Sequence, residues 1–284
     1  MTGSVFPPKV VVALGGGGMR GVAHLGVLEV LAERGVQVAG MAGTSSGALL
    51  GALWLCLGEG AVGRVRAFVA SGQARKMPDF HELGQGSLWQ RTRLALQVLK
   101  VLLKKSLLSV EQMLAYVRFF LPDQEIESLP IPFVAVATDT LTGEEVWLSR
   151  GSLVRAVAAS SAMPGLVNPI AVDGRFLQDG GAVAEIPVRA ARSLGAPVLA
   201  VEVSEALAVG FPGKDGVARA MLRAAAMGWQ ALRARLLAEA DFVIAPKVNH
   251  LHWADYHAVD EAVNAGRKAA EAFLARFQPG TEAA

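Results

Sequence analysis

The chain has 284 residues, of which 52% are hydrophobic and 18% charged, and its formal net charge is +2. This composition excludes an intrinsically disordered chain and suits one large α/β domain or two small ones. The small net charge gives no reason to expect a nucleic-acid partner. The single cysteine, Cys56, excludes an intramolecular disulfide and indicates a reducing compartment.

The N-terminal segment MTGSVFPPKV has neither the basic nor the apolar region of a signal peptide. The longest apolar runs, 48–57 and 94–108, are short or interrupted by lysines. Neither reaches the roughly 20 apolar residues that cross a bilayer. We therefore expect a cytoplasmic protein that can still contact the inner face of the membrane.

The first sixty residues alternate between strand and helix patterns. Apolar runs at 10–14 and 36–42 predict buried strands. Leucines at helical spacing predict a helix over 22–34, and the almost wholly apolar segment 46–57 predicts a second, buried helix. This β-α-β-α order is typical of a parallel sheet flanked by helices.

The remainder of the chain continues the alternation after a helical stretch at about 62–121. The patterns predict strands at 130–139, 144–148, 198–203 and 242–245, a hairpin over 170–177 that turns at Asp173-Gly174, and helices at 152–159, 216–240 and 257–277. Ser109 and Gln112 form the pattern of a capping box. We predict one domain over 9–277 with a helical insertion at about 62–121 and short tails at 1–8 and 278–284.

A glycine-rich loop follows the first predicted strand, and Gly16, Gly18 and Gly21 spell G-x-G-x-x-G. A dinucleotide site also needs an acidic residue at the end of the second strand, and that strand ends without one. No Gly-Lys-Ser/Thr follows the loop either, which disfavours a phosphate-binding P-loop. The loop keeps exposed amides at a helix N-terminus, where they can bind a negatively charged oxygen.

The second predicted strand ends in GTSSG, which matches G-x-S-x-G with Ser45 at its centre. In that motif a sharp strand-to-helix turn exposes a nucleophilic serine at the carboxyl end of the sheet. Adjacent parallel strands would place the glycine loop beside Ser45, where its amides could bind the oxyanion of an acyl-transfer intermediate. The alternative is that Ser45 or Ser46 only caps the helix.

A nucleophilic serine needs a base, and the residues alone leave two choices. Asp179, in QDGG, ends a hairpin strand and becomes a useful base if burial raises its pKa. Alternatively, Asp179 could orient His250 or His257 in a Ser-Asp-His triad of the α/β-hydrolase type. Asp179 could also merely cap a turn.

Four motifs in this order resemble the patatin-like phospholipases: GGGMRG (16–21), GTSSG (43–47), ASSAMPGLVNP (159–169) and DGG (179–181). The resemblance implies a three-layer α/β/α sandwich with a mainly parallel sheet, and hydrolysis of phospholipid or related lipid esters through an acyl-enzyme. It implies Ser45 as nucleophile and Asp179 as base, without a histidine, and we expect neither a cofactor nor a metal. The remaining implied site residues are the oxyanion glycines Gly16, Gly17 and Gly18, the supporting Arg20 and Gly21, and the motif glycines Gly43, Gly47, Gly180 and Gly181.

Segment 90–108 combines a basic stripe with a broad apolar face. It predicts a helix that lies on anionic lipid, covers the core or forms a lid. The resemblance implies a lipid or acyl ester as the partner, and a catalytically idle lipid-binding protein of this fold is a further alternative. We expect His24 to pack or to hydrogen-bond to the glycine loop.

Overall fold

An eight-stranded sheet forms the centre of the computed structural model, which describes residues 6–73, 106–204, 217–252 and 254–277. The strands are, in chain order, β1 (Lys9–Leu14), β2 (Gln37–Thr44), β3 (Phe133–Asp139), β4 (Glu145–Leu148), β5 (Ile170–Val172), β6 (Arg175–Asp179), β7 (Val198–Val201) and β8 (Phe242–Ile244). Five of them, in the order β3-β2-β1-β7-β8, are parallel. Their carboxyl ends meet at one edge of the sheet, which we call the carboxyl edge.

Three antiparallel strands complete the sheet, and their register places β6 directly in line with β2. Val136 of β3 pairs with Thr44 of β2 on one side and with β4 on the other. The next β3 residue, Ala137, pairs with β4 and with Asp179 of β6. Because β4 occupies one side of β3, β6 must follow β2 along the other side. The ends of β2 and β6 therefore meet at the carboxyl edge.

Helices cover both faces of the sheet. They are α1 (Ala23–Glu33), α2 (Ser46–Leu57), α3 (Gly60–Ala70), α4 (Val110–Phe120), α5 (Leu153–Ser160), α6 (Gly181–Ala184), α7 (Val188–Arg192), α8 (Val217–Ala238) and α9 (Val259–Leu274), with 3-10 turns at Gly18–Val22 and Ile126–Ser128. Alternate β1 residues enter two separate cores, Val10 and Val12 facing α1, α2 and α9, and Val11 and Ala13 facing α6 and α7. The predicted three-layer α/β/α sandwich is confirmed.

Most predicted elements are present with shifted ends. The hairpin turn is confirmed, since Asp173 and Gly174 have positive φ angles of 48° and 77°. Ser109 and Gln112 form the predicted capping box. The prediction for α2 is wrong in its last turn, because Leu57 is 39% exposed. Within the described ranges, no helix is both long and apolar enough to cross a membrane.

The described parts of the predicted insertion are helical at α3 and α4. Residues 90–105 of the amphipathic segment 90–108 lie outside the described residues. Its last three residues, 106–108, are not helical, so the helix prediction is wrong there. Leu107 and Leu108 donate their amides to the carbonyl of Leu166, and Leu108 forms a parallel bridge with Val167.

Candidate active site

Ser45 lies at the turn between β2 and α2 in a conformation that non-glycine residues rarely adopt, with φ of 55° and ψ of −121°. Such a residue costs about 1–3 kcal/mol and persists only where its surroundings enforce it. The Ser45 amide donates to Oγ of Ser160 at 2.9 Å, and the Ser160 hydroxyl donates to the carbonyl of Val136 at 2.6 Å. These two hydrogen bonds hold the turn against the middle of β3.

Ser160 is a supporting residue that sequence reasoning missed. It is fully buried at the end of α5, and it lies 115 residues from Ser45 along the chain. Its only sequence signal was its place in the block ASSAMPGLVNP, which carries no indication of the contact.

Close packing brings the end of β1 beside this turn. A side chain at Gly47 would overlap the carbonyl oxygen of Leu14, so only glycine fits there. A Cβ atom on Gly16 would lie 3.4 Å from Cβ of Ser45. The glycine loop and the serine are therefore neighbours, as the parallel strand order predicted.

Asp179 is the last residue of β6 and is 7% exposed. Its Oδ1 accepts the amide of Gly181 at 2.8 Å, and the side chain of Ser45 is near enough to the carboxylate to lower its pKa. Thr138 donates its hydroxyl to the Asp179 carbonyl at 2.9 Å, as expected of a polar residue near the end of a strand. Gly180 lies against the carbonyl of Val136, where a side chain would overlap.

Burial raises the pKa of Asp179 to about 6. The hydrogen bonds from Gly181 and Ser45 oppose this rise, and the nearby negative charge of Glu185 adds to it. A carboxyl group with this pKa is about 90% ionised at pH 7. It can therefore accept a proton at neutral pH and is a stronger base than an ordinary carboxylate.

The glycine loop offers fewer donors than the resemblance implied. The Gly16 amide already donates to the carbonyl of Glu185 at 2.9 Å, so in this conformation its N–H is not directed at Ser45's substrate. Among the described residues, the amides of Gly17 and Gly18 have no hydrogen-bond partner. These two amides lie where the 3-10 turn begins, and they are the available donors of the loop.

Arg20 and His24 hold the loop in place. Arg20 is 5% exposed and donates from Nε to the carbonyl of Gly17 at 3.3 Å. His24 is fully buried, and its Nε2 lies 2.8 Å from the carbonyl of Gly15. Desolvation lowers its pKa to about 4, so the imidazole is neutral and donates to that carbonyl. The prediction that His24 supports the loop is confirmed. Gly21 lies against the side chain of Ser46.

The C-terminal histidines lie elsewhere. His250 is exposed, and its Nε2 lies 2.7 Å from Oε1 of Glu261. His257 is exposed, and neither histidine lines the cavity at Ser45. The structure therefore brings Ser45 and Asp179 together directly and does not bring these two histidines to them.

An apolar cavity opens at Ser45 between the glycine loop, α2, α3 and α4. Apolar and aromatic side chains form its walls: Val22, Leu49, Leu50, Val65, Phe68, Leu108, Met113, Tyr116, Phe120, Met163, Leu166 and Tyr256. Burial raises the pKa of Tyr116, which stays neutral. Among the side chains that the structure describes, no group of three or more His, Cys, Asp or Glu could hold a metal ion.

The fold and the site define an α/β protein with a strained strand-to-helix serine, a buried aspartate next to it and an apolar cavity that the serine lines. The family model described as Patatin-like phospholipase matches residues 12–192. The chain belongs to the patatin-like phospholipase family. Strands β7 and β8, which lie beyond the matched residues, are part of the same sheet.

The chain is similar in sequence to parts of longer proteins. An uncharacterized NTE family protein of Mycobacterium tuberculosis is 39% identical over 208 residues, which are 73% of this chain and 50% of that protein. Patatin-like phospholipase domain-containing protein 7 of Mus musculus is 33% identical over 198 residues, covering 68% of this chain and 13% of that protein. The crystal structure of VipD from Legionella pneumophila covers 95% of this chain and 67% of its own, with 17% identity and a TM-score of 0.44. The chain spans about half the length of the mycobacterial relative.

Proposed function

We propose that the protein is a serine acyl hydrolase that cleaves carboxylic esters of phospholipids or related lipids through an acyl-enzyme. The observation that carries this proposal is the meeting of Ser45, at its strained turn, with the buried Asp179, whose carboxyl pKa the Ser45 side chain lowers. Membership of the patatin-like phospholipase family supports the lipid substrate class.

In the first step, Oγ of Ser45 attacks the acyl carbonyl carbon while Asp179 accepts the hydroxyl proton. The resulting oxyanion binds the amides of Gly17 and Gly18. The intermediate then collapses, the bond to the alcohol breaks, and Asp179 returns its proton to the departing alkoxide. A water molecule repeats the sequence on the acyl-enzyme, releasing the carboxylic acid and restoring Ser45.

The cavity supports an acyl substrate because its walls are almost wholly apolar and Ser45 lies among its lining residues. Apolar and aromatic walls with a few polar groups at one end are typical of small-molecule sites. An alkyl chain that enters this cavity leaves its ester carbonyl next to Oγ of Ser45. The helices α3 and α4 supply Phe68, Tyr116 and Phe120, so the predicted insertion contributes to substrate binding in this proposal.

The test uses a soluble short-chain ester and a fluorophosphonate probe on the purified chain. Ser45→Ala should abolish turnover and labelling, whereas Ser46→Ala, a matched change one position away in the same motif, should retain labelling. Asp179→Asn should lower kcat by at least about a thousandfold, since the two residues act as a unit. Normal turnover by the Ser45→Ala variant would refute the proposal.

The remaining expectations are proposals of the same kind. A single domain over 9–277 is supported by the pairing of β7 with β1 at the centre of the sheet. A cytoplasmic location rests on the single cysteine, and membrane contact through 90–108 stays a prediction. No observation favours a catalytically idle lipid-binding protein, because Ser45 and Asp179 are both present and near enough for Ser45 to lower the pKa of the Asp179 carboxyl.

A further inference from the structure

The N-terminal part of α8 is an unusually exposed apolar segment. Among the side chains described in this helix, only Leu236 is buried. Met221 is 69% exposed, Met227 56% and Trp229 49%. Met227 and Trp229 lie on opposite sides of the helix, because each residue advances it by about 100°. A helix that packs by one face on a core normally confines its large apolar side chains to that face.

This segment projects beyond the carboxyl edge of the sheet. Nε of Arg233 lies 3.3 Å from Oε1 of Glu202, the residue that follows β7. Beyond the other end of α8, Oδ2 of Asp241 accepts the amide of Val198, the first residue of β7, at 2.7 Å. The helix therefore runs antiparallel to β7 and reaches the carboxyl edge at Arg233. The residues from Ala220 to Arg233 add about 20 Å of helix beyond that edge.

Other exposed apolar side chains gather at the same edge. Leu141 is 80% exposed in the turn after β3, and Phe176 is 51% exposed beside it, since Thr140 donates its amide to the Phe176 carbonyl. Met163 is 40% exposed and also lines the cavity at Ser45. Among the described residues, six of the eight exposed large hydrophobic side chains lie at or beyond the carboxyl edge: Leu141, Met163, Phe176, Met221, Met227 and Trp229. Scattered exposed residues would show no such preference for one edge.

The charge of the helix identifies the kind of surface it fits. Residues 217–238 contain four arginines and no acidic residue, and one of the four, Arg233, is ion-paired with Glu185 and Glu202. Arginine next to methionine and tryptophan is the composition of segments that bind the interface of an anionic bilayer. Tryptophan in particular prefers the headgroup region, where its ring is apolar and its N–H finds an acceptor.

We propose that residues 220–231 of α8, together with Leu141, Met163 and Phe176, dock the protein on an anionic phospholipid bilayer. In this orientation the mouth of the cavity at Ser45 faces the lipid. A substrate chain can then pass from the bilayer into the cavity beside Met163. The choice of a lipid surface rests on the proposed function, but the docking surface itself is defined by exposure, charge and position.

The test measures binding of a Ser45→Ala variant to sedimented vesicles of phosphatidylcholine and phosphatidylglycerol at a ratio of 7:3, and to phosphatidylcholine vesicles. The inactive variant leaves the lipid intact, so binding is measured without turnover. We expect Trp229→Gln to weaken partitioning about tenfold and Met227→Gln with Trp229→Gln about a hundredfold. The matched control Leu57→Gln changes an exposed leucine at the far end of α2 and should change partitioning less than twofold. Thermal unfolding verifies that each variant is folded.

A direct readout distinguishes insertion from indirect effects. The fluorescence that disappears in the Trp229→Phe variant is the emission of Trp229. Bromine-labelled lipid should quench this emission if Trp229 inserts into the bilayer. Equal binding by the double variant and the Leu57→Gln control would overturn the proposal, as would no binding to either vesicle. A dimer that dissociates on the double substitution, with vesicle binding unchanged, would assign the surface to a second copy instead. Hydrolysis of a soluble ester by the wild-type chain, measured separately, reports on the proposed function alone.

Discussion

Replacing Asp179 by asparagine should stabilise the fold at neutral pH while removing activity. Asn is nearly isosteric with Asp, and its Oδ1 can still accept the hydrogen bond from the Gly181 amide. The substitution therefore removes the negative charge and keeps the geometry. The stability change isolates the free-energy cost of holding that charge in a buried place.

The magnitude follows from the pKa of Asp179, which burial raises from 3.8 to about 6. One pKa unit corresponds to about 1.36 kcal/mol, so ionising this carboxyl in the folded protein costs about 3 kcal/mol more than in the unfolded chain. The folded state binds the proton more tightly. The cost is therefore absent below about pH 4, develops up to about pH 6 and is constant above.

The assay is urea unfolding of the wild type and of Asp179→Asn from pH 4 to pH 8, extrapolated to water. The advantage of the variant should grow by about 3 kcal/mol over this interval. The other carboxyl groups are common to both proteins. Their contributions cancel when the free energy of unfolding of the wild type is subtracted from that of the variant. A matched control is Asp139→Asn, which removes a second buried aspartate. That residue accepts the amide of Leu141 and pairs with Arg175 at 3.4 Å, so its loss should destabilise the fold.

An advantage that does not change with pH would refute the reasoning, because it would mean that Asp179 titrates alike in the folded and unfolded chains. The same pKa predicts the pH dependence of activity. Since the carboxylate is the form that accepts the proton, kcat/KM should fall about tenfold per pH unit below about pH 6. A rate that stays constant down to pH 5 would exclude Asp179 as the base.

Four further outcomes test the site, each by unfolding or ester turnover. Ser45→Gly should be about 1 kcal/mol more stable than Ser45→Ala, because glycine tolerates the positive φ angle. Ser160→Ala should cost about 1–3 kcal/mol of stability and lower kcat, since it removes the contact that fixes the turn. Gly47→Ala should lower the free energy of unfolding by more than about 3 kcal/mol, whereas Gly63→Ala, with nothing near its added methyl group, should gain about 0.5–1 kcal/mol. His250→Ala should retain full turnover; loss of turnover would restore the Ser-Asp-His alternative.

Local patterns were sufficient for most of the fold. Apolar runs and helical spacing predicted the alternation of strands and helices, because each depends on neighbours along the chain. Ser45 could be singled out because GTSSG follows a strand pattern and precedes an apolar helix. Asp179 could be considered because DGG follows a hairpin whose turn, Asp173-Gly174, has a strong local signal, but its role as the base came from the resemblance to the patatin-like family.

The contacts that complete the site depend on long-range packing, and the sequence pattern does not contain them. The Gly16 amide was expected to be free, yet it is bonded to the carbonyl of Glu185, 169 positions further along the chain. Ser160 supports Ser45 across 115 residues. The sequence also could not show that β6 continues the line of β2. That arrangement depends on how both strands pair with β3, and the pattern of neither strand indicates it.

The proposed chemistry and the predicted stability gain have one physical origin. Because β6 follows β2 along the same side of β3, Asp179 meets the Ser45 hydroxyl without an intervening histidine. A carboxylate with an ordinary pKa would be a poor base, and burial raises that pKa toward the working pH. The same burial destabilises the charged carboxylate in the folded state. The stability that Asp179→Asn recovers above pH 6 should therefore equal the free energy by which burial raises the pKa of the aspartate. A change that lowers this free energy should reduce both the stability gain and the strength of the base.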